Sequence, residues 1–296
     1  MSMTNRRHGP SARGLLALAH PGPAAACTAF TVMAGRSALR HSGVADSARW
    51  RRLAVAAAAM FLAQISTGSL NDYCDRAADR RFQTYKPIAR GLVGPPLALG
   101  FALGTGVLSV VAAACAGASA GWLMTLGLAC GWAYDVRLSR TPLSLVPFIG
   151  GIITVPWVGT AAVGVRYRRP VLMTAVAGLL GLGLHLANGG PDAARDRQAG
   201  RRSLPALLGP DRSSDLTHLI LTAASLLVIR SSPHGHRGVP LLGASACLGL
   251  LAMDRRQDRT HRAPGKHPFV LPVLAAGVLA AGWLGAAGGE STTSAQ

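Results

Sequence analysis

Apolar runs that are long and nearly free of charge constrain this chain more than any other feature. The stretches 95–117, 142–165, 171–186 and 268–287 are near or at the length that crosses a hydrocarbon layer. Half of the residues are apolar and 14% are charged, which suits a chain whose main solvent is lipid. Lipid offers no partner to an open sheet edge, so the spanning elements have to be helices. The hydrophobic pattern marks nine candidate spans, at about 15–35, 53–70, 95–117, 121–134, 142–165, 171–186, 216–229, 239–253 and 268–284. Pro21, Pro23, Pro147 and Pro156 fall inside them. Such breaks are absorbed in a bundle, where neighbouring helices and polar side chains satisfy the freed backbone groups.

The expected fold class is all-α: a polytopic membrane protein, a bundle of nine transmembrane helices around a central cavity. Residues 1–13 read as a short cytoplasmic tail, 14–288 as a single transmembrane domain and 289–296 as a polar C-terminal tail. With the N-terminus cytoplasmic, 20 of the 30 basic residues fall on the inner side, although Arg36, Arg40, Arg49, Arg51 and Arg52 lie in the first outer loop. The expected location is the cell membrane, multi-pass. The segment after the basic first ten residues merges into an apolar run with no small-residue cleavage pattern and reads as a retained anchor.

A formal net charge of +18 spread over short loops fits anionic headgroups or a polyanionic small substrate. No nucleic-acid-binding module is visible, so nucleic acid is not an expected partner, whereas membrane lipids are. Five cysteines without paired spacing give neither a disulfide framework nor a zinc site. The Gly117/Gly121 and Gly127/Gly131 pairs are expected to serve internal helix packing.

Two acidic stretches end apolar segments, and each places Asn, Asp and Asp at steps of four: Asn71, Asp75 and Asp79, then Asn188, Asp192 and Asp196. If each stretch is helical, the three residues share one face. One such stretch reads readily as a solvated junction of surface ion pairs. Two with the same spacing, both expected on the cytoplasmic side, favour a site. Four carboxylates and two amides gathered together would repel one another, and a hard divalent cation removes the conflict. Mg²⁺ takes oxygen ligands and is commonly held by one or two carboxylates together with substrate phosphates. Basic side chains follow each stretch, among them Arg76, Arg80, Arg81, Lys86 and Arg90, then Arg195, Arg197, Arg201 and Arg202. They can grip phosphate oxygens and offset charge on a departing diphosphate. Asp72 lies off the shared face and reads as a group that orients the helix or supports the metal ligands. A charged head beside greasy helices describes a polyprenyl diphosphate. Its allylic cation would need a dry, partly aromatic chamber, with Phe61, Trp122, Trp132, Tyr134, Phe148 and Trp157 as candidate walls.

These motifs resemble those of the UbiA superfamily of intramembrane prenyltransferases. Asn71-Asp72-x-x-Asp75-x-x-x-Asp79 is similar to the family's first acidic motif. Asn188-x-x-x-Asp192-x-x-x-Asp196 with Gly200-Arg201-Arg202-Ser203-Leu204 is similar to its second, and Lys86-Pro87-Ile88-Ala89-Arg90-Gly91 to its basic, Pro-containing stretch. The segment Tyr134 to Arg140 stands where the family carries a Tyr and a Lys-Arg pair, but Ser139 replaces the Lys. The resemblance implies a nine-helix UbiA-like bundle and Mg²⁺-dependent transfer of a prenyl group from a polyprenyl diphosphate to a small aromatic or lipophilic acceptor, with release of diphosphate. By carry-over, Asp75, Asp79, Asp192 and Asp196 are the metal-binding, catalytic carboxylates. Asn71, Asn188, Lys86, Arg90 and Arg140 serve diphosphate binding, with Arg137 a substitute for the missing Lys charge. The charge bias puts both acidic stretches, and so the mouth of the site, on the cytoplasmic side, and no sequence feature picks an acceptor. Two other readings stay open: a membrane terpene cyclase of the same superfamily, and a transporter or lipid-binding scaffold without enzymatic activity. His185, Asn188 and Asp135 are polar enough to orient an acceptor, and His185 also reads as an interhelical hydrogen-bonding residue.

Overall fold

The computed structural model describes residues 12–44, 46–166, 169–232, 237–260 and 270–286. Among them the regular structure is helical throughout. A short α1 (Ala12–Leu18) precedes six long helices: α2 (Pro21–Ser42), α3 (Ser47–Phe82), α4 (Pro95–Ala116), α5 (Ala118–Val136), α6 (Leu145–Ala162) and α7 (Pro170–Gly189). Two 3-10 turns, Leu138–Arg140 and Pro142–Ser144, join α5 to α6. The short α8 (Ala193–Gln198) and α9 (Leu204–Leu208) lead into α10 (Pro210–Ser231), α11 (Gly238–Thr260) and α12 (Val270–Ala286).

Local chemistry sets the helix starts. Pro21, Pro95, Pro170 and Pro210 open α2, α4, α7 and α10, where the missing N–H costs nothing and φ is already helical. Asp46 caps α3 by accepting the Arg49 N–H at 2.8 Å. The first expected span, 15–35, is revised by the same rule. The chain breaks at Ala19–His20 ahead of Pro21, and the long helix runs from Pro21 to Ser42. The second expected span stopped at residue 70, whereas α3 continues for another three turns to Phe82 and carries the first acidic motif with it. Pro156 stays inside α6, as expected for a bundle.

The protein is an all-α, polytopic membrane protein. The segments Ser47–Phe82, Pro95–Ala116, Pro142–Ala162 and Pro170–Gly189 meet strict length and apolarity requirements for crossing a membrane, and Leu271–Leu284 is a shorter apolar helix. Large apolar side chains such as Val107, Val111, Trp122, Leu219 and Leu226 face outward, as a hydrocarbon surround allows. Close approach inside the bundle relies on small residues. A Cβ on Gly35 of α2 would meet the Gly159 carbonyl of α6, and one on Gly159 would meet the Thr31 carbonyl. At that contact the Thr31 hydroxyl donates to the Val155 carbonyl at 3.0 Å. Gly127 and Gly131 face Thr154 of α6 and Thr67 of α3, which is the internal packing expected of them.

The main core involves α2 to α7 and α10 to α12. A second, smaller cluster joins Leu18, Ile88, Val93 and Ala98, with Tyr73 and Phe101 beside it. It pins the loop 83–94 against α1, α3 and the start of α4, which fixes where Lys86 and Arg90 lie.

Candidate functional site

A cavity of about 600 Å³ opens where α3, α5 and α7 finish. α3 is unbroken through Asn71, Asp75 and Asp79, so steps of four put all three on one face, and all three line the cavity. The second motif reaches the same cavity by a different route. α7 ends at Gly189 and α8 starts at Ala193, so Asn188, Asp192 and Asp196 do not share one continuous helix. The expected single helical face is corrected here. Pro191 has no N–H to donate and two glycines precede it, so the chain turns at 190–192. The Asp196 N–H still bonds the Asp192 carbonyl at 2.8 Å, and Asn188, Asp192 and Asp196 all line the cavity.

Each acidic motif is matched by cations. The Lys86 ammonium lies 3.0 Å from Asp72 Oδ1 and 3.0 Å from Asp79 Oδ2. Burial works against the charge on Lys86, but attraction to Asp72 and Asp79 outweighs it and holds its pKa above the ordinary lysine value. Asp72 is fully buried, does not line the cavity, and also lies 3.2 Å from His20 Nε2. Its observed partners are thus Lys86 and His20.

Asp75 Oδ1 accepts from two guanidiniums, Arg140 Nη2 at 3.1 Å and Arg201 Nη2 at 2.8 Å. Arg201 also places Nε 3.7 Å from Asp196 Oδ1, so it ion-pairs with both motifs. Burial pushes the Asp196 carboxyl up against the pull of Arg201. Burial likewise disfavours the charge on Arg201, and Asp75 and Asp196 more than compensate, raising its pKa. Arg195 pairs with Asp192 at 2.7 Å.

Of the other expected diphosphate contacts, Arg90 lines the cavity and Arg140 acts from behind Asp75. Arg137 is exposed and is not among the lining residues, because its backbone closes α5 while the chain turns toward Arg140. Ser139, standing where the family carries Lys, lines the cavity. Arg195 and Arg201 both line the cavity, and reading the sequence singled out neither as a site residue. The basic run after Asp196 signalled a cation there but could not say which of Arg195, Arg197, Arg201 and Arg202 turns inward.

The inner wall is aromatic. Tyr134 and His185 line the cavity and contact Phe148, with ring centroids 5.5 Å (Tyr134–Phe148) and 5.0 Å (His185–Phe148) apart. His185 Nε2 meets the Ser144 hydroxyl at 3.1 Å, which in turn accepts the Leu204 N–H at 3.3 Å. This interhelical bond matches one of the two readings of His185. Asn71 donates to Asp135 Oδ1 at 3.3 Å. Phe61 and Trp122, expected as possible walls, face outward with 38% and 77% of their surface exposed. Trp132 and Trp157 instead bond Ser66 and Thr174 between helices.

Among the described residues no three acidic, His or Cys side chains converge closely enough to hold a metal ion by themselves. The donor set nonetheless fits a hard cation. Four carboxylates and two amides supply only oxygen ligands around one cavity, and phosphate oxygens commonly complete such a shell.

Fold and cavity together define a polytopic α-helical membrane protein in which two acidic motifs and several bases share one cavity. The chain belongs to the UbiA prenyltransferase family, whose pattern matches residues 28–271. It is 32% identical over 218 residues to the digeranylgeranylglyceryl phosphate synthase of Halobacterium salinarum, covering 72% of this chain and 75% of that protein. It is similar also to the bacteriochlorophyll synthase 33 kDa chain of Rhodobacter capsulatus, 32% identical over 170 residues and covering 54% of this chain and 56% of that one. Its fold is similar to a UbiA homolog from Archaeoglobus fulgidus bound to DMAPP and Mg²⁺, with a TM-score of 0.71 at 14% identity over 92% of this chain and 97% of that one.

Proposed function

We propose that this protein transfers a prenyl group from a polyprenyl diphosphate to a small aromatic or lipophilic acceptor and releases diphosphate, with Mg²⁺ as its cofactor. The observation that carries this reading is the placement of Asp75, Asp79, Asp192 and Asp196 on one cavity together with Lys86, Arg90, Arg195 and Arg201. The Archaeoglobus fulgidus homolog with DMAPP and Mg²⁺, and a second structure of it with GPP and Mg²⁺, support the reading by analogy.

In this reading the four aspartates, assisted by Asn71 and Asn188, would hold Mg²⁺, and the chemistry that ion would supply is compensation of negative charge on the leaving diphosphate. Lys86, Arg90 and Arg201 bind phosphate oxygens, and Arg140 steadies Asp75 from behind. As the allylic carbon–oxygen bond breaks, its electron pair stays with the diphosphate. Tyr134, backed by Phe148, faces the allylic cation and helps keep water from it. A new bond then forms to the acceptor, which gives up a proton. The nine long helices among the described residues are proposed to cross the cell membrane, with the N-terminus and the cavity mouth on the cytoplasmic side.

The test is diphosphate release by purified protein from allylic diphosphates of several lengths, with Mg²⁺ and with or without aromatic and lipid acceptors. Acceptor-dependent release of diphosphate with a prenylated product is expected. A cyclic product formed without any acceptor would replace transfer by cyclisation, and no release with any chain length would remove the enzymatic reading.

A further inference from the structure

Three stretches far apart in the chain converge behind the first acidic motif. Leu18 of α1 packs with Ile88, Val93 and Ala98, and its carbonyl accepts from the Ser69 hydroxyl at 3.4 Å. That cluster places both the loop that carries Lys86 and the junction of α1 with α2 that carries His20. Between them stands Asp72 of α3, whose carboxylate is divided: Oδ2 lies 3.2 Å from His20 Nε2, and Oδ1 lies 3.0 Å from Lys86 Nζ. Lys86 is also 3.0 Å from Asp79 Oδ2, so one ammonium serves two carboxylates.

His20 holds its place in an unfavourable backbone conformation. Its φ of 43° and ψ of 65° are left-handed, and it is the one non-glycine residue with positive φ among the described residues. Such a conformation persists only where the surroundings hold it, and it gathers at functional sites. Here the ring seats on Gly68, where a Cβ would come within 2.7 Å of His20 Cδ2, and His20 lines the cavity. A turn into α2 alone would be met by glycine. A histidine at this position points to a use for its side chain.

We infer that His20 is a positioning residue that sets Lys86 for the diphosphate, acting through Asp72. A buried carboxylate left with one cation draws that cation in, because an unpaired buried charge is costly. With His20 at Oδ2, Asp72 claims Lys86 through Oδ1 alone, and the ammonium stays between Asp72 and Asp79, where Lys86 borders the cavity. Without the imidazole, Lys86 is drawn toward Asp72 and offers less of its charge to a phosphate. The inference rests on the function proposed above, in which Lys86 binds phosphate oxygens.

The experiment measures binding of geranyl S-thiolodiphosphate, an analogue that ionises slowly, to purified full-length protein in excess Mg²⁺ by calorimetry, with thermal melts to establish that each variant is folded. His20→Gly keeps the left-handed turn and removes the ring. It is expected to weaken analogue binding about tenfold, a size typical of losing an outer partner of a ligand. His20→Gln sets an amide N–H where Nε2 stands and should stay within about threefold of wild type. Added to Lys86→Met, His20→Gly should weaken binding no further, because residues that act through one another are not additive. Wild-type affinity in His20→Gly, equal losses in the Gly and Gln variants, or additive losses in the double variant would each overturn the inference and leave the proposed function standing. If Lys86→Met does not fold, the comparison of the Gly and Gln variants decides. If wild-type protein binds no analogue, the proposed function falls together with the inference.

Discussion

The two acidic motifs share one spacing and have different backbones. The first rides on an unbroken 36-residue helix, and two of its carboxylates, Asp72 and Asp79, are buried around Lys86 with side-chain exposures of 0% and 5%. The second straddles a turn into a six-residue helix, and its Asp192 side chain is 44% exposed. A long packed helix holds its side chains in fixed register, whereas a short segment after Gly-Gly-Pro carries few packing contacts to hold it. One half of the site is thus held by a long packed helix, the other by a short helix beyond a turn.

The strongest way to break that comparison is to remove one carboxylate from each half. Asp75→Asn and Asp192→Asn are each expected to lower diphosphate release by about 10²–10³-fold while the protein still inserts, a size typical of losing one group that stabilises developing charge. Full activity in the Asp192 variant would reduce the site to its rigid half.

Stability should separate the halves next. Lys86→Met leaves Asp72 buried beside His20 alone and is expected to cost about 3–5 kcal/mol, as removal of one partner of a buried pair does. Arg195→Gln, at an exposed pair, should cost no more than about 1 kcal/mol. Thermal melts in detergent measure both, and equal shifts would deny the difference between the motifs. pH sharpens the same point. The folded pKa of Lys86 lies above its unfolded value, so the stability it contributes is complete below the ordinary lysine value and is lost as pH rises through the folded one. Alkaline melts above that value should therefore destabilise the wild type more steeply than Lys86→Met, and parallel curves would remove Lys86 from the account. The smallest effect is expected outside both halves. Trp122→Leu, on the outward face, should leave activity and stability within about 0.5 kcal/mol.

Much of the fold was legible in the chain because lipid imposes so strong a rule. Apolar runs have to be helices, and the positions of α4 and α7 follow the expected spans to within a few residues. Helix ends were less legible where polar residues continue a helix beyond the apolar run. The long tail of α3 is such a case, since its last turns are charged and owe their helicity to packing around Lys86 and the loop 83–94. The aromatic walls show the same limit. Trp122 and Tyr134 both end up on α5, twelve residues apart, yet only the packing of neighbouring helices decides that one faces outward and the other the cavity.

By itself the sequence determined the solvent, the helical class and the two sets of spaced carboxylates proposed to hold a diphosphate and a hard cation, because hydrophobic length and the spacing of carboxylates are local properties. Only the tertiary structure decided which cations meet which carboxylates. Arg140 and Arg201 lie 65 and 126 residues from Asp75 along the chain. Coulombic pairing depends on distance in space, and no linear pattern carries that distance.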